Sequence, residues 1–317
     1  MLHFTLLFGA LLIFQVPVPS GFVEETATLT TTTGVLHGTL DMPSGSGPFP
    51  VALIIAGSGP TDRDGNSAML AGKNNSLKML AQSLATANIA SLRFDKRGIA
   101  ASAAAGPKEA DLRFENYVDD AAAWVEQLRH DKRFSTFTII GHSEGALIGA
   151  IATARTHPNA FISVAGVGRS AGLVLREQLN GKLPAPLFQA NEKILRELEA
   201  GRTTEDVPPA LKSMYRASVQ PYLISWFKYD PVEVVASIKE PILICQGTTD
   251  IQVAVEEAEA LKKAAPTAKL VIVQGMNHVL KSVATDPAKQ TASYSDPALP
   301  INPELMKNII EFVPRAK

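Results

Sequence analysis

The feature that most restricts how this chain can fold is the passage from residue 137 to residue 154. The apolar run Phe137-Thr-Ile-Ile140 leads without a spacer into Gly141-His-Ser-Glu-Gly145, which leads without a spacer into the small-residue stretch Ala146–Ala154. A short β-rich run followed by an alanine-rich one reads as strand then helix, with a sharp reversal between them. Glycine two before and two after Ser143 suits such a turn, because a side chain at either position would collide with neighbouring backbone. The turn lifts the Ser143 hydroxyl above the carboxyl end of a sheet, where open α/β sheets place ligands. It also sets Ser143 at a helix N-terminus, whose dipole favours negative charge.

The rest of the chain repeats the same rhythm. Thr26–Thr30 and Val35–Leu40 alternate around a threonine- and glycine-containing turn and predict an antiparallel hairpin. After the loop Pro43–Pro48, Val51–Ala56 is an unbroken apolar run, the pattern of a strand covered on both faces. Helical stripes (Leu77, Leu80, Ala81, Leu84; then Val118, Ala121, Ala122, Val125, Leu128) alternate with the strands Ile89–Phe94, Phe137–Ile140 and Phe161–Ala165. This alternation predicts the α/β class, a mostly parallel sheet with helices on both faces. It stops between about 168 and 239, where helical runs such as Pro186–Leu198 and Leu211–Tyr222 carry no convincing strand. It resumes with Ile242–Gln246, a helix around Val255–Ala264, the strand Lys269–Val273 and a final helix near Pro303–Phe312. A helical insertion therefore interrupts one sheet.

Bulk properties exclude several functions. A formal net charge of −1 over 317 residues points to neither nucleic acid nor an anionic membrane surface, and 6% aromatic residues provide no stacking platform. The single cysteine, Cys245, excludes a disulfide framework and a thiolate metal site, and its apolar strand makes it structural filler. No His/Asp/Glu cluster has metal-ligand spacing. The first residues differ from the rest: the apolar run Leu6–Phe14 and then Val16-Pro-Val-Pro-Ser20 suit the core of a secretory signal over residues 1–24, which predicts export to the periplasm or medium without stable membrane insertion. An uncleaved anchor and an ordinary N-terminal strand are the competing readings.

A serine needs a base to become a nucleophile. Of the six histidines, His3 lies in the leader, His37 in the hairpin, and His130 at the far edge of the sheet. His142 sits inside the turn, pointing away from its neighbour's hydroxyl. His157 follows Ser143 by 14 residues of helix, roughly 20 Å at ~1.5 Å per residue. His278, in Gln274-Gly-Met-Asn-His278, lies just past the last strand and returns to the rim that carries Ser143. Asp250, in Gly247-Thr-Thr-Asp250, follows the preceding strand at the same rim and completes the order Ser, Asp, His. Asp230, in the insertion, is the rival acid. Acids such as Glu256 and Glu257 fall in a helix and are expected to be solvated. Donors for an oxyanion would be the backbone N–H of Glu144 and that of Ser58, in the loop Ala56–Gly65 after the first parallel strand. The polar Asp62-Arg63-Asp64 of that loop could touch substrate, although charge pairing within the loop is the expected arrangement.

Taken together, Gly57-Ser-Gly-Pro-Thr-Asp-Arg-Asp-Gly65, Arg93-Phe-Asp-Lys-Arg-Gly98 with Ser102, Gly141–Gly145, Gly247–Asp250 and Asn277-His278 make the chain from about residue 25 resemble the α/β-hydrolase superfamily. Within it the chain is similar to bacterial serine esterases related to the prolyl-oligopeptidase and acyl-thioesterase branches. The resemblance implies an eight-stranded sheet, a helical lid from the insertion at 168–239, no cofactor, and hydrolysis through an acyl-enzyme. It also makes Arg93–Gly98 a structural turn, with Asp95 and Arg97 as scaffold.

The expected activity is hydrolysis of small-molecule carboxylic esters, with a lid of this length limiting the acyl group to small or medium size. The nearest alternatives are a peptidase, amidase or acyl thioesterase using the same three residues. A different class, a binding protein that keeps the fold without catalysis, is weakened because each triad position holds a competent residue. The oligomeric state is not readable from the sequence.

Overall fold

The computed structural model describes residues 21–316. Residues 1–20 of the expected leader lie outside the described residues, and Phe22–Glu24 already belong to the first strand. β1 (Phe22–Thr31) and β2 (Gly34–Pro43) form the antiparallel hairpin, each a few residues longer than its alternating pattern. They are followed by β3 (Phe49–Ile55), α1 (Ser76–Thr86), β4 (Ala90–Phe94), α2 (Phe114–Arg129), β5 (Phe134–His142), α3 (Glu144–Thr156) and β6 (Ala160–Val164). The insertion carries α4 (Ala171–Leu179), α5 (Ala185–Glu199), α6 (Lys212–Tyr215), α7 (Gln220–Phe227) and α8 (Pro231–Ser237). The sheet resumes with β7 (Ile242–Gly247), α9 (Val255–Ala264), β8 (Lys269–Val273), α10 (Pro287–Ser293) and α11 (Pro303–Phe312).

One eight-stranded sheet runs in the order β1-β2-β4-β3-β5-β6-β7-β8. Strands β4, β3, β5, β6, β7 and β8 pair in parallel, and β2 alone runs against them, antiparallel to both β1 and β4. The unbroken apolar runs follow from this layering, since alternate residues of one strand feed two different cores. In β3, Val51, Leu53 and Ile55 pack with Trp124, Val118, Ile148 and Leu261 on one face. Ala52 and Ile54 pack with Leu80, Leu84, Leu305 and Ile309 on the other. Cys245 lies in this second core, fully buried, and burial pushes its thiol up to about 12, as expected of structural filler.

The insertion has a small core of its own, with Ile194, Leu195, Leu198, Leu211, Tyr215 and Leu223 buried together. It docks on the start of α2, where Trp226 stacks on Phe114 at 5.9 Å between ring centroids. The helix expected over Leu211–Tyr222 is broken in two. Arg216 is extended (ψ 149°), and the Tyr215 carbonyl accepts from the Gln220 side chain at 2.8 Å instead of from a following helical turn. Pro221, which has no N–H to donate, marks the restart.

Candidate active site

Ser143 sits between β5 and α3 at φ 56°, ψ −122°, a conformation that costs a non-glycine residue energy and persists only when its surroundings enforce it. Here they do. A Cβ at Gly145 would overlap the carbonyl oxygen of Ile55, and one at Gly141 would overlap the Gly145 carbonyl, so β3, β5 and α3 close on each other at contact distance. The Ser143 amide donates to Val164 O at 3.0 Å and its carbonyl accepts from Ala146 N at 2.9 Å, tying the turn to β6 and to the first turn of α3.

At the neighbouring strand ends, Nδ1–H of His278 donates to Oδ2 of Asp250 at 2.8 Å. The carboxylate is held on every side: Oδ1 accepts from the amides of Gln252 (2.8 Å) and Val253 (2.9 Å), and Oδ2 also accepts from the Gln246 side chain at 3.2 Å. Burial acts to raise the Asp250 pKa, but His278 and these donors outweigh it and keep the group below its ordinary value. The two loops meet because Gly247 has no side chain: a Cβ there would overlap the Met276 carbonyl, and that carbonyl accepts from Thr249 N at 3.1 Å. The rival, Asp230, lies elsewhere. It caps α8, accepting from Val232 N at 3.1 Å.

His142 is not idle. Its Nε2–H donates to the carbonyl oxygen of His278 at 2.8 Å, and the two rings lie 4.9 Å apart. Burial, with the His278 charge adding to it, pushes the His142 pKa down to about 4, so the ring is neutral and carries its proton on Nε2.

Ser143, His142 and His278 line one cleft of about 310 Å³, walled by the 57–76 loop and by Gln252, Val279 and Tyr294. Its apolar wall is Met69, Leu70 and Val279. None of the lining residues comes from 168–239, so the expected lid forms as a helical subdomain but does not wall this cleft. The loop between β3 and α1 takes that place. Ser58 borders the cleft, and among the described residues neither its amide nor that of Glu144 donates to another protein group, so both remain available.

The charged tripeptide in this loop corrects the expectation of pairing within the loop. Arg63 reaches Asp95, by its backbone N–H (2.7 Å) and its guanidinium (2.8 Å), and Asp64 accepts from Arg93 at 2.8 Å. Only Asp62 stays local, accepting from Asp64 N and Asn66 N, both at 2.9 Å. The loop is thus riveted to the 93–97 turn, where Arg97 is paired with Asp120 and buried. Glu257 is also corrected: it is 2% exposed and holds Arg169 and the Gly168 amide (2.8 Å), tethering the start of the insertion to α9.

Sequence reasoning missed a further group. Lys96, 1% exposed, donates to the Gly57 carbonyl at 2.6 Å and to Oε1 of Glu144 at 3.1 Å, and lies 5.0 Å from the Tyr117 ring centroid. Oε2 of Glu144 accepts from Tyr222 OH of α7 at 3.0 Å. The signal was a lysine in a turn whose other charged residues were assigned to scaffold.

The fold is the α/β-hydrolase fold. Residues 71–222 match the family model described as serine aminopeptidase, S33. The chain is 27% identical over 267 residues to esterase EstD of Thermotoga maritima, covering 83% of this chain and 61% of that protein, so it spans about three fifths of that relative's length. Solved structures with the same fold include Est1E from Butyrivibrio proteoclasticus (19% identity, TM-score 0.58, 90% of this chain and 97% of that one). Another is the Pyrococcus furiosus esterase Pf2001 (18% identity, TM-score 0.56, 92% of each chain). A third is XC6422 from Xanthomonas campestris, described as a serine hydrolase without a lid (18% identity, TM-score 0.52, 93% and 97%).

Proposed function

We propose that this chain hydrolyses carboxylic esters of small or medium acyl groups through an acyl-enzyme on Ser143. The observation that carries the reading is the 2.8 Å bond to Asp250 from Nδ1 of His278, which lines the same cleft as Ser143. With Nδ1–H committed to the carboxylate, the neutral imidazole presents the Nε2 lone pair as a base. Ser143 Oγ attacks the acyl carbon, His278 takes its proton and returns it to the leaving alcohol, and Asp250 stabilises the imidazolium between the two steps. The tetrahedral oxyanion sits against the N–H groups of Ser58 and Glu144. Water, activated by His278, then releases the acid and frees Ser143.

Esterase EstD and the esterase structures support ester over amide chemistry. The polar lining supports it as well, being hydroxyl and amide groups such as Thr61, Ser67, Asn74, Gln252 and Tyr294, with no carboxylate to hold a substrate's terminal ammonium. The cleft's size supports the limit on acyl length. Export through a leader that ends before β1 belongs to the same proposal. A panel of p-nitrophenyl esters of increasing chain length, an acyl-CoA and an aminoacyl p-nitroanilide tests it. Short and medium esters are expected to turn over fastest; a preference for the anilide, the thioester or long-chain esters would refute it.

A further inference from the structure

A carboxylate one residue after a nucleophile is an unfavourable neighbour for an oxyanion, because the negative charge it adds opposes the charge that develops in the transition state. Glu144 occupies that position, buried, and both its oxygens are engaged on the side away from the cleft, by Lys96 and by Tyr222. Lys96 in turn holds the carbonyl of Gly57, and that carbonyl shares a peptide unit with the N–H of Ser58. Peptide units are planar and trans, so C=O and N–H point in opposite directions. A carbonyl pulled inward to Lys96, which does not line the cleft, leaves the Ser58 N–H directed outward to the cleft that Ser58 borders.

We infer that Lys96 is a positioning residue for the oxyanion hole, one ammonium that braces both of its halves. It fixes and polarises the Gly57–Ser58 peptide, and it neutralises the Glu144 carboxylate beside the second donor. Tyr222 donates to the other carboxylate oxygen from the insertion, which gives that subdomain an influence on the site without walling the cleft. Desolvation, with the Glu144 charge adding to it, raises the Tyr222 pKa well above its ordinary value, so its OH remains a donor at any working pH. The inference rests on the esterase reading and adds a residue that never touches substrate.

Such a residue acts on the transition state and not on the bound ester. The test compares wild type with Lys96→Met and with the double variant Lys96→Met/Glu144→Gln, which leaves no buried charge unpaired and so guards against simple unfolding. For each, kcat and KM on the best p-nitrophenyl ester and Ki for an aryl trifluoromethyl ketone are measured. The ketone forms a hemiketal on Ser143 whose oxyanion uses the hole. Both variants are expected to lose about 10- to 100-fold in kcat, less than removal of a direct donor. KM should stay within about twofold, and Ki for the ketone should rise in step with the loss of kcat. Folded double variant with wild-type kcat and wild-type ketone Ki would overturn the inference, as would a change confined to KM. Failure of the esterase reading looks different: wild-type protein would neither hydrolyse the esters nor bind the ketone.

Discussion

Nε2 of His142 lies 2.8 Å from the carbonyl oxygen of His278, so the residue before Ser143 holds the backbone of the residue that would activate it. The bond by itself favours the protonated ring, but burial outweighs it and lowers the His142 pKa to about 4, so the neutral ring donates through Nε2–H. The unfolded chain protonates the same group near 6.5. As pH falls from ~6.5 to ~4, the unfolded state binds a proton that the folded state refuses, so folding stability falls through that window. Urea midpoints measured between about pH 7 and pH 4 should show this decline. His142→Asn should flatten part of it, and should cost roughly 10-fold or more in kcat by loosening the His278 loop. An unchanged pH slope in the variant would contradict the assignment.

Asp250 and Asp230 separate by substitution. Asp250→Asn keeps the shape of the site but favours the wrong imidazole tautomer, and should reduce kcat by about 10³- to 10⁴-fold with the fold intact. Asp230→Ala removes a helix cap and should cost about 1 kcal/mol of stability with kcat unchanged. Parallel kinetics and denaturant melts of the two variants check both statements.

These residues also show how far the sequence could be read. The strand–turn–helix passage around Ser143 was legible because local rules determine it: a β-rich run, glycines at the two positions of closest approach, and a small-residue helix. His278 and Asp250 were legible because a parallel sheet returns each strand end to one rim. Asp230 could have been set aside from the sequence alone, since Asp230-Pro231, like Asp286-Pro287, is an N-cap followed by proline at the first helical position. The function of Lys96 was not legible, because it depends on a carbonyl 39 residues away and a carboxylate 48 residues away. Nor was the cleft wall: the length of the insertion suggests a lid, but its aromatic face is spent on Phe114 and Tyr117, leaving the 57–76 loop beside Ser143.

Acyl preference should accordingly follow the loop and not the insertion. Leu70→Ala enlarges the apolar wall and is expected to shift the optimum of a p-nitrophenyl ester series toward longer chains, by ~10-fold or less in relative kcat/KM per added methylene. Leu173→Ala, an exposed position on α4, should leave the series unchanged. A shift with the second variant and none with the first would return the specificity to the insertion.

Gly145 tests the turn itself. Its alanine variant would drive a methyl group into the Ile55 carbonyl, where only backbone displacement relieves the overlap. A loss of about 3 kcal/mol or more is expected in urea unfolding, with activity lost along with the geometry. Near-wild-type stability would mean that β3 and α3 are further apart than described.

The central claim is that Ser143 is a nucleophile activated by His278. A fluorophosphonate probe incubated with folded protein, followed by peptide mass mapping, tests it most directly. One adduct on the peptide containing Ser143 is predicted, with Ser143→Ala unlabelled and His278→Ala labelled at a rate lower by orders of magnitude. Folded wild-type protein that takes up no probe, or takes it up equally well without Ser143, would contradict the account.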